Sequence, residues 1–482
     1  MTSFLAAPLA GLAGSTAGVA GAQSVAPAQA ELSAEEARRD LRILHRAFTD
    51  LHPGLTRYRS VTQIDAAFAV ADASVAAGCS RAQMVVTASR LAAAVYCGHT
   101  WVNPANQRKD VVTGVFQRAD KLPLTLRWIE GRVRVTGSAA PGLVAGDELL
   151  AIDSRPMTQI RDALLPLLRA DGQHAGARLK RLSQLDSGPN GGSMDRLFPL
   201  CFPPRDGRYM LTLRDANGRQ RDVQVAATST SARDQVLAPP PSAWSFRLDG
   251  DIGVLTVPTF ALWQTDFKPG DFLRQTFDAL RDVPFLIIDQ RGNEGGEDAI
   301  GRQLLSYLVR APVQLPGSRV ESAYERVPYE LARFLDTWDF DFFDRTGQVR
   351  KSPGRNWLLP DEPGPRIEPV AAPYAGRTVV LIGPQNSSAG FLLARDIQRT
   401  GAATLLGQPT GGNLRGLNGG QLAWVNLPAS GVGVDIPLLA SFAMDDPPDA
   451  GVLPDVAVAP RWSDAVAGID TEMAAALALV KA

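Results

Sequence analysis

The stretch at residues 378–416 constrains the fold of this chain more than any other part of the sequence. It begins with an apolar, β-branched run at residues 379–382, which is typical of a buried strand, and it turns at residues 383–386. A segment with the apolar spacing of a helix follows, and Gly401 stands where that helix would end. A buried strand that turns directly into a helix predicts an α/β fold for this part of the chain.

Ser388 lies at the predicted corner between this strand and this helix. A serine at such a corner has its hydroxyl at the edge of the sheet, beside backbone N–H groups that the first helical turn leaves unpaired. Those N–H groups can stabilise an oxyanion, so the position suits a nucleophile. However, Asn-Ser-Ser at residues 386–388 is also an ordinary helix N-cap pattern. Taken alone, this stretch leaves both interpretations open.

A second segment that can carry chemistry follows the most apolar strand of the chain, at residues 284–289. Arg-Gly-Asn-Glu-Gly-Gly at residues 291–296 comes next, and a helix is predicted at residues 297–308. Glycines at this place let the backbone approach a ligand with its N–H groups exposed. Because the Lys-Ser/Thr ending of a phosphate-binding loop is absent, the segment predicts either an oxyanion hole or a tight strand-to-helix turn.

Among the 4 histidines of the chain, His99 is the candidate general base. It follows Gly98 at the end of a predicted helix, where the backbone holds one side of the imidazole and leaves the other side free. His45 lies within a predicted helix, His52 in a turn or groove wall, and His174 in a polar stretch. A histidine in such a setting is more often structural than catalytic.

The composition of the 482-residue chain limits its partners. The formal net charge is -1, with acidic and basic residues interspersed, so we expect no nucleic-acid partner. Outside the N-terminus the sequence has no apolar run long enough to span a bilayer, and no motif predicts a cofactor or a metal ion. Of the cysteines Cys79, Cys97 and Cys201, the first two either pair or all three remain buried thiols. The oligomeric state stays open, a homo-oligomer included.

The first 30 residues differ from the rest of the chain, because they are mostly small or apolar and carry no charge. Together with Ala-Gln-Ala at residues 28–30, they predict a signal peptide, a mature N-terminus near Glu31 and a periplasmic or secreted protein. The usual positive charge near the start is missing, so a disordered leader is the alternative.

The remaining chain changes character several times. Helical periodicity gives way to short strands with turn signals, then to a Pro-rich stretch, and finally to alternating strands and helices. A late insert, between the glycine segment and Ser388, is rich in aromatic residues and is predicted to be helical at its start. Such an insert either roofs the site and lines a substrate groove, or its aromatic residues only pack it onto the domain. The sequence therefore predicts a multidomain α/β protein with these parts: a leader at 1–30, a helical domain carrying His99 at 31–110, a β-rich domain at 111–227, a linker at 228–243, and an α/β domain at 244–482 with an insert around 315–372.

Five motifs of the sequence resemble those of known families. Residues 146–153, Gly-Asp-Glu-Leu-Leu-Ala-Ile-Asp, are similar to a strand motif of PDZ modules, which usually bind an extended peptide at a sheet edge. A plain packing domain is the alternative there. Four other motifs resemble, in order and spacing, those of the carboxyl-terminal processing peptidases and the tricorn core, which are tail-specific serine peptidases; they lie at residues 288–296, 388–390, 407–412 and 451–455.

The resemblance implies a crotonase-like (ClpP/crotonase) fold for the α/β domain. It also implies that Ser388 is the nucleophile of a peptidase. Backbone N–H groups of Gly295 or Gly296, together with that of Ala389, would then form the oxyanion hole.

One departure from the processing peptidases concerns the general base. Their base is a lysine, whereas the matching position here is Asn413, and no lysine occurs between Lys351 and Lys481. The tricorn-like branch uses a histidine instead, in a Gly-His-Thr context, and residues 98–100 match that context. The resemblance therefore implies that His99 is the base.

The same branch orients its histidine with a glutamate shortly before the motif Gly-Val-x-Pro-Asp. The matching stretch of this chain offers Asp445, Asp446 and Asp449. Asp449 is closest to the matching position, so the resemblance implies that its carboxylate orients the base, with the other two as alternatives.

These features predict a serine endopeptidase that cleaves peptides or proteins through an acyl-enzyme, without a cofactor or a metal ion. The alternative is a non-catalytic binding protein of the same fold that holds an apolar small molecule or a peptide. The joint presence of Ser388, His99 and the glycine turn at residues 295–296 favours the enzyme.

Overall fold

The computed structural model describes residues 31–183, 192–237, 243–263, 265–361 and 363–481. The predicted signal peptide lies outside these residues and stays a prediction. Within the described ranges, none of the helices combines the length and the apolar character that a membrane span requires.

The described chain begins with helices, continues with a run of strands, and then mixes strands and helices up to its end. The α-helices are α1 (Ala34–Leu51), α2 (Val61–Ser74), α3 (Arg81–Ala94), α4 (Lys109–Val111), α5 (Met157–Leu164), α6 (Ala175–Arg181), α7 (Ser193–Cys201), α8 (Thr230–Val236), α9 (Pro269–Ala279), α10 (Asp298–Ser306), α11 (Tyr329–Ala332), α12 (Ser388–Thr400), α13 (Trp462–Val466) and α14 (Thr471–Lys481). The β-strands are β1 (Leu124–Ile129), β2 (Arg132–Ser138), β3 (Glu148–Ile152), β4 (Arg155–Pro156), β5 (Arg208–Arg214), β6 (Gln220–Ala226), β7 (Ser245–Asp249), β8 (Ile252–Thr256), β9 (Phe285–Asp289), β10 (Val313–Gln314), β11 (Arg319–Ser322), β12 (Leu335–Asp336), β13 (Arg350–Lys351), β14 (Trp357–Leu358), β15 (Arg366–Ile367), β16 (Arg377–Ile382), β17 (Thr404–Gly407), β18 (Leu422–Asn426), β19 (Gly433–Pro437), β20 (Ala440–Phe442) and β21 (Val456–Ala457).

The N-terminal helices begin where the sequence supplies a cap. A serine precedes each of α1, α2 and α3, and its hydroxyl accepts a hydrogen bond from the backbone N–H of the third helical residue. That third residue is Glu or Gln, and its side chain accepts the backbone N–H of the serine in return. The apolar faces of these helices share a core with later strands. Phe48 of α1 and Leu91 of α3 belong to the same buried cluster as Val434 of β19. The helical region is therefore fixed directly against the C-terminal part of the chain.

The β-rich region contains an antiparallel sheet with the strand order β1-β2-β3-β5-β6. The β1–β2 and β5–β6 pairs are hairpins that turn at Glu130-Gly131 and Asn217-Gly218, in keeping with the short strands and turn signals of the sequence. The predicted linker at 228–243 differs in part, because α8 lies within it. That helix is anchored by a buried ion pair between Arg233 and Asp195 of α7, with an N–O distance of 2.6 Å.

The sheet of the α/β region has the strand order β21-β17-β16-β9-β8-β7, and every pair is parallel except the β7–β8 hairpin. Helices α9, α10 and α12 pack on one face and α14 on the other. In β16, Val380 is paired with Ile288 of β9, and Leu381 with Asp289. Because parallel strands end at the same edge of a sheet, the glycine turn after β9 and the serine corner after β16 lie side by side.

The insert does not have the predicted helical start. Its helix α11 is 4 residues long, whereas β11 pairs with β14 and β20. These partners lie far away in sequence, and tertiary pairing of this kind overrides local propensity.

Candidate active site

Ser388 is the first residue of α12, directly after the turn that follows β16. Its φ angle is 48°, in the left-handed region that residues other than glycine rarely adopt. Its neighbour Ser387 donates its hydroxyl to the backbone O of Glu294 at 3.0 Å. The Ser388 hydroxyl, in contrast, has no hydrogen-bond partner in the described chain. Strain of this kind collects at functional sites, so the corner has the conformation expected of a reactive serine.

Gly295 lies against this corner, whereas the next residue, Gly296, lies against the backbone of Phe260 and Ala261; their φ angles of 109° and 134° favour glycine. A Cβ atom on Gly295 would lie 2.7 Å from Cβ of Ser388 and 2.8 Å from the backbone N of Ala389. The Gly295 N–H donates to Oδ1 of Asn293 at 2.8 Å, whereas the Gly296 N–H has no partner among the described residues. Of the N–H groups of Gly295, Gly296 and Ala389, those of Gly296 and, in the first helical turn, Ala389 are therefore without a hydrogen-bond partner among the described residues.

The buried side chain of Asn386 holds the turn and the corner together. Its Nδ2 donates to the backbone O of Gln290 at 2.5 Å and of Asn293 at 3.2 Å, and its Oδ1 accepts the Gly383 N–H at 2.8 Å. Because the amide is completely buried, these bonds are not exchanged with water, and they fix the distance between the two loops.

His99 lies on the segment that follows α3 and is half-buried. Its ring packs on Gly419, where an added Cβ would be 3.3 Å from Nε2. The hydroxyl of the next residue, Thr100, contacts Nε2 of the buried His52 at 2.9 Å. Beyond it, the backbone of Trp101 pairs with Asp435 of β19, which attaches the segment to the C-terminal strands.

The electrostatic surroundings keep both histidines neutral. Burial lowers the pKa of His99 below its ordinary value; the Asp171 carboxylate opposes this, while the guanidinium groups of Arg169 and Arg181 lower the pKa further. Burial, together with nearby guanidinium groups, lowers the pKa of His52 to about 3. A neutral imidazole is the form that can accept a proton, so His99 is in the protonation state that a base requires.

Asp171 is the carboxylate next to His99. It is 2 % exposed, and its Oδ1 accepts the Gly98 N–H at 2.7 Å. An oxygen of this carboxylate, a ring nitrogen of His99 and Sγ of Cys97 lie within 4.8 Å of one another. Oδ2 of Asp171 and Nδ1 of His99 are buried without a hydrogen-bond partner in the described chain. The geometry suits a carboxylate that orients the imidazole.

Asp449 has different surroundings. It is exposed, and its Oδ1 accepts Nδ2 of Asn413 at 2.6 Å. Asn413, which stands at the position of the lysine in the processing peptidases, is therefore hydrogen-bonded to Asp449, the carboxylate that the resemblance implies for orienting His99. Asp445 and Asp446 are exposed as well. Asp171, in contrast, places a carboxylate oxygen within 4.8 Å of a His99 nitrogen.

An ion-pair cluster joins the His99 segment to the serine corner. Glu294, on the glycine turn, pairs with Arg169 at 3.0 Å and with Arg181 at 2.7 Å. Arg169 also donates to the backbone O of Gly98 at 2.5 Å, and the backbone O of Glu294 accepts the hydroxyl of Ser387. The cluster thus contacts the residue before His99 and the residue before Ser388.

A cleft of about 500 Å³ begins beside Ala389. Its walls come from α12, from the start of the insert and from the segment around β20, with Leu392, Val320 and Phe442 among the lining side chains. The insert therefore lines a cleft next to the serine corner, close to the place that the sequence predicted for it.

Two polar side chains of this site are not identified by the sequence patterns. His52 is predicted only as a turn or groove-wall residue, and Asp171 is not singled out at all. Gly98 and Asp171 are 73 positions apart, and neither belongs to a spaced motif that includes the other. An expectation that a buried helix-end histidine needs a carboxylate partner is the one signal that could have prompted a search for it.

Comparisons with solved structures concern the fold of the whole chain. A structure of mature CPAF complexed with lactacystin is similar over 93% of this chain and 98% of that chain, with a TM-score of 0.62 and 17% identity. A structure of the CPAF s499a mutant matches over 93% and 96% of the two chains, with a TM-score of 0.63 and 16% identity. At these identities the likeness shows a common fold. A search of curated protein sequences finds no match.

The family comparison concerns the segment that holds both loops of the site. The model of peptidase family S41 matches residues 251–458, which include the glycine turn, the serine corner and the Asn413–Asp449 pair. Residues 251–458 therefore match peptidase family S41, and this match, together with the fold shared with CPAF, supports a serine-type peptidase of the tail-specific kind.

Proposed function

We propose that the protein is an endopeptidase in which Ser388 is the nucleophile and His99 is the general base. Oγ of Ser388 attacks the scissile carbonyl carbon while His99 takes the hydroxyl proton, and this proton then passes to the leaving amine. Water, deprotonated by the same base, hydrolyses the acyl-enzyme and restores the serine.

The conformation of the corner is the observation that carries this proposal. Ser388 has a strained left-handed backbone and a hydroxyl without a partner, and it packs against Gly295. Ser387 is a poor candidate, because its hydroxyl is bonded to the backbone of Glu294.

For the oxyanion we infer the N–H groups of Gly296 and Ala389. The N–H of Gly295 is bonded to the Asn293 side chain, so Gly295 contributes by allowing close approach. Oriented donors in a site that excludes water stabilise the tetrahedral intermediate without reorganising, which is commonly the largest part of such catalysis.

For the orienting carboxylate we infer Asp171 in place of Asp449. Its buried Oδ2 and the buried Nδ1 of His99 both lack partners, and a small closing movement would join them in one hydrogen bond. That bond would fix the tautomer with Nε2 free to accept the serine proton, and it would stabilise the imidazolium that forms.

The coarser features of the substrate follow from the cleft. We infer that a peptide or protein chain binds with a side chain in the cleft beside Ala389. We also infer a PDZ-like role for residues 111–227 and a crotonase-like fold for residues 244–482; the antiparallel sheet and the repeated strand-helix units support these assignments. A periplasmic or secreted location, based on the N-terminal sequence, belongs to the same proposal.

A fluorophosphonate probe tests the site, because it labels only an activated serine. We expect the wild-type protein and the Ser387→Ala variant to be labelled, and the Ser388→Ala variant to remain unlabelled with an unchanged melting temperature. His99→Ala should slow labelling and peptide hydrolysis by roughly 10⁴-fold or more, since members of one catalytic unit act together. The matched control is His45→Ala, which removes a half-buried imidazole bonded to Asp65 on the helical region. Labelling of Ser388→Ala, or its loss in Ser387→Ala, would refute the assignment.

A further inference from the structure

Three side chains that can bind a metal ion lie close together at the proposed base: Cys97, His99 and Asp171. The proposed proton transfer does not need all three. A thiol, an imidazole and a carboxylate each place one ligand atom within 4.8 Å of the other two. Cys97 is a free cysteine and is 0 % exposed, and Asp171 is 2 % exposed. The proposed mechanism gives the thiol no role, although it lies beside the base.

Two of these side chains also have unpaired polar atoms that are buried. Oδ2 of Asp171 and Nδ1 of His99 lack hydrogen-bond partners in the described chain. Buried polar atoms of this kind are costly unless a hydrogen bond, a water molecule or an ion satisfies them. Both atoms belong to side chains that are metal ligands in other proteins.

We propose that Cys97, His99 and Asp171 bind one Zn²⁺ ion or a similar soft divalent cation, and that this ion switches the peptidase off by occupying the base. The binding itself follows from the donor set, whereas the inhibition rests on the proposed role of His99. On binding, the thiol releases its proton to solvent, and the thiolate, the neutral imidazole and the carboxylate fill three positions of a tetrahedron. The fourth position is left for water.

The distances are compatible with such an ion after a small contraction. Zinc bonds of about 2.0–2.3 Å put neighbouring tetrahedral ligands roughly 3.6 Å apart. Three atoms that already lie within 4.8 Å of one another therefore need to approach by at most about 1.2 Å. The Cys97 thiol already accepts the backbone N–H of His99 at 3.4 Å, so the movement falls to Asp171 and His99, whose Oδ2 and Nδ1 atoms have no hydrogen-bond partner among the described residues.

The charges around the three ligands indicate that the ion binds reversibly. Thiolate and carboxylate together match the charge of a divalent ion, and sulfur and nitrogen donors select Zn²⁺ over Mg²⁺ and Ca²⁺. Against this, the guanidinium groups of Arg169 and Arg181 act on His99, although both are paired with Glu294. We therefore expect binding that is weaker than in a structural zinc site and that a chelator reverses.

Binding is tested first in the Ser388→Ala protein, so that the result does not depend on activity. Titration with Co²⁺ should produce the visible bands of a tetrahedral site and a near-ultraviolet thiolate-to-metal band, at one ion per chain. Excess Zn²⁺ should abolish these bands, and Mg²⁺ should not. The bands should be lost when Cys97→Ser or Asp171→Asn is added, with melting curves confirming that each variant is folded, and kept with Cys201→Ser. Absence of the bands, or their persistence in Cys97→Ser, overturns the site.

Inhibition is tested separately in the protein with Ser388 intact. After treatment with a chelator, added Zn²⁺ should lower peptide hydrolysis at least tenfold, and renewed chelation should restore it. In Cys97→Ser, the ratio of the rates with and without Zn²⁺ should move close to one. Co²⁺ binding together with an unchanged rate in Zn²⁺ overturns the switch. If the protein with Ser388 intact does not hydrolyse peptides even in the presence of a chelator, both the proposed function and the proposed inhibition are rejected. The Co²⁺ titration of the Ser388→Ala protein would still decide whether the metal site exists.

Discussion

Gly295→Ala perturbs the contact on which the proposed catalysis depends. The added Cβ would lie 2.7 Å from Cβ of Ser388, 2.8 Å from the backbone N of Ala389 and 3.0 Å from the backbone O of Ser387. The substitution also places an alanine at a φ of 109°. The change is confined to one methyl group, and it acts where the glycine turn and the serine corner meet.

The size of the effect follows from these distances. Non-bonded carbon atoms prefer separations of roughly 3.5–4.0 Å, so the turn and the corner must move apart by about 1 Å. A displacement of about 1 Å in a catalytic group costs on the order of 10²-fold in rate. The unfavourable backbone conformation should lower the free energy of unfolding by about 1–3 kcal/mol. We therefore expect kcat/KM for a peptide substrate to fall by roughly 10²-fold or more in a protein that still folds.

The assay combines peptide hydrolysis, fluorophosphonate labelling and thermal melting. Gly292→Ala is the matched control, because it lies in the same turn and an added Cβ there meets no atom within 4 Å. The control should stay within a fewfold of the wild-type rate. Gly295→Ala with wild-type activity and stability would show that the close contact has no part in catalysis.

The remaining predictions concern charged groups. Because burial lowers the pKa of His99, the rising limb of kcat/KM against pH, measured with a chelator present, should lie below the ordinary histidine value of about 6.5; a limb above pH 7 would point to another base. Asp171→Asn should lower kcat by roughly 10²–10⁴-fold by analogy with other triads, whereas Asp449→Asn should change it only a fewfold, and the opposite order would return the orienting role to Asp449. Burial raises the pKa of Asp435 from 3.8 to about 6, so its contribution to stability is complete below pH 3.8 and is lost as the pH rises through 6. That loss is about 3 kcal/mol, and denaturant unfolding should show Asp435→Asn gaining stability relative to the wild type between pH 4 and pH 7; a difference independent of pH would contradict the assignment.

The serine corner and the glycine turn could be predicted from sequence because local rules determine them. An apolar run predicts the buried strand before Ser388, and the stop at Gly401 is confirmed, since this residue caps α12 with a φ of 62°. The β1–β2 and β5–β6 hairpins also follow from neighbouring residues alone, because the two turn residues of each hairpin determine how its strands pair.

Other features depend on contacts between distant parts of the chain. The role inferred for Asp171 requires the Gly98 backbone to meet the end of the α5 region, and no spacing in the sequence encodes this meeting. The helix α8 is held by a buried Arg233–Asp195 pair, while its sequence reads as a polar linker. The insert has strands because β20, more than 100 positions later, pairs with β11. In each case tertiary contacts outweigh the local pattern.

The core that unites Phe48, Leu91 and Val434 has a consequence for the order of events during synthesis. The segment that carries His99 emerges from the ribosome early, whereas Ser388 and the strand β19 emerge near the end. Until β19 arrives, the apolar faces of α1 and α3 lack part of their partner surface, and the proposed base lacks the proposed nucleophile. We therefore expect an incomplete chain to have no peptidase activity until the last third of the sequence has folded onto the first.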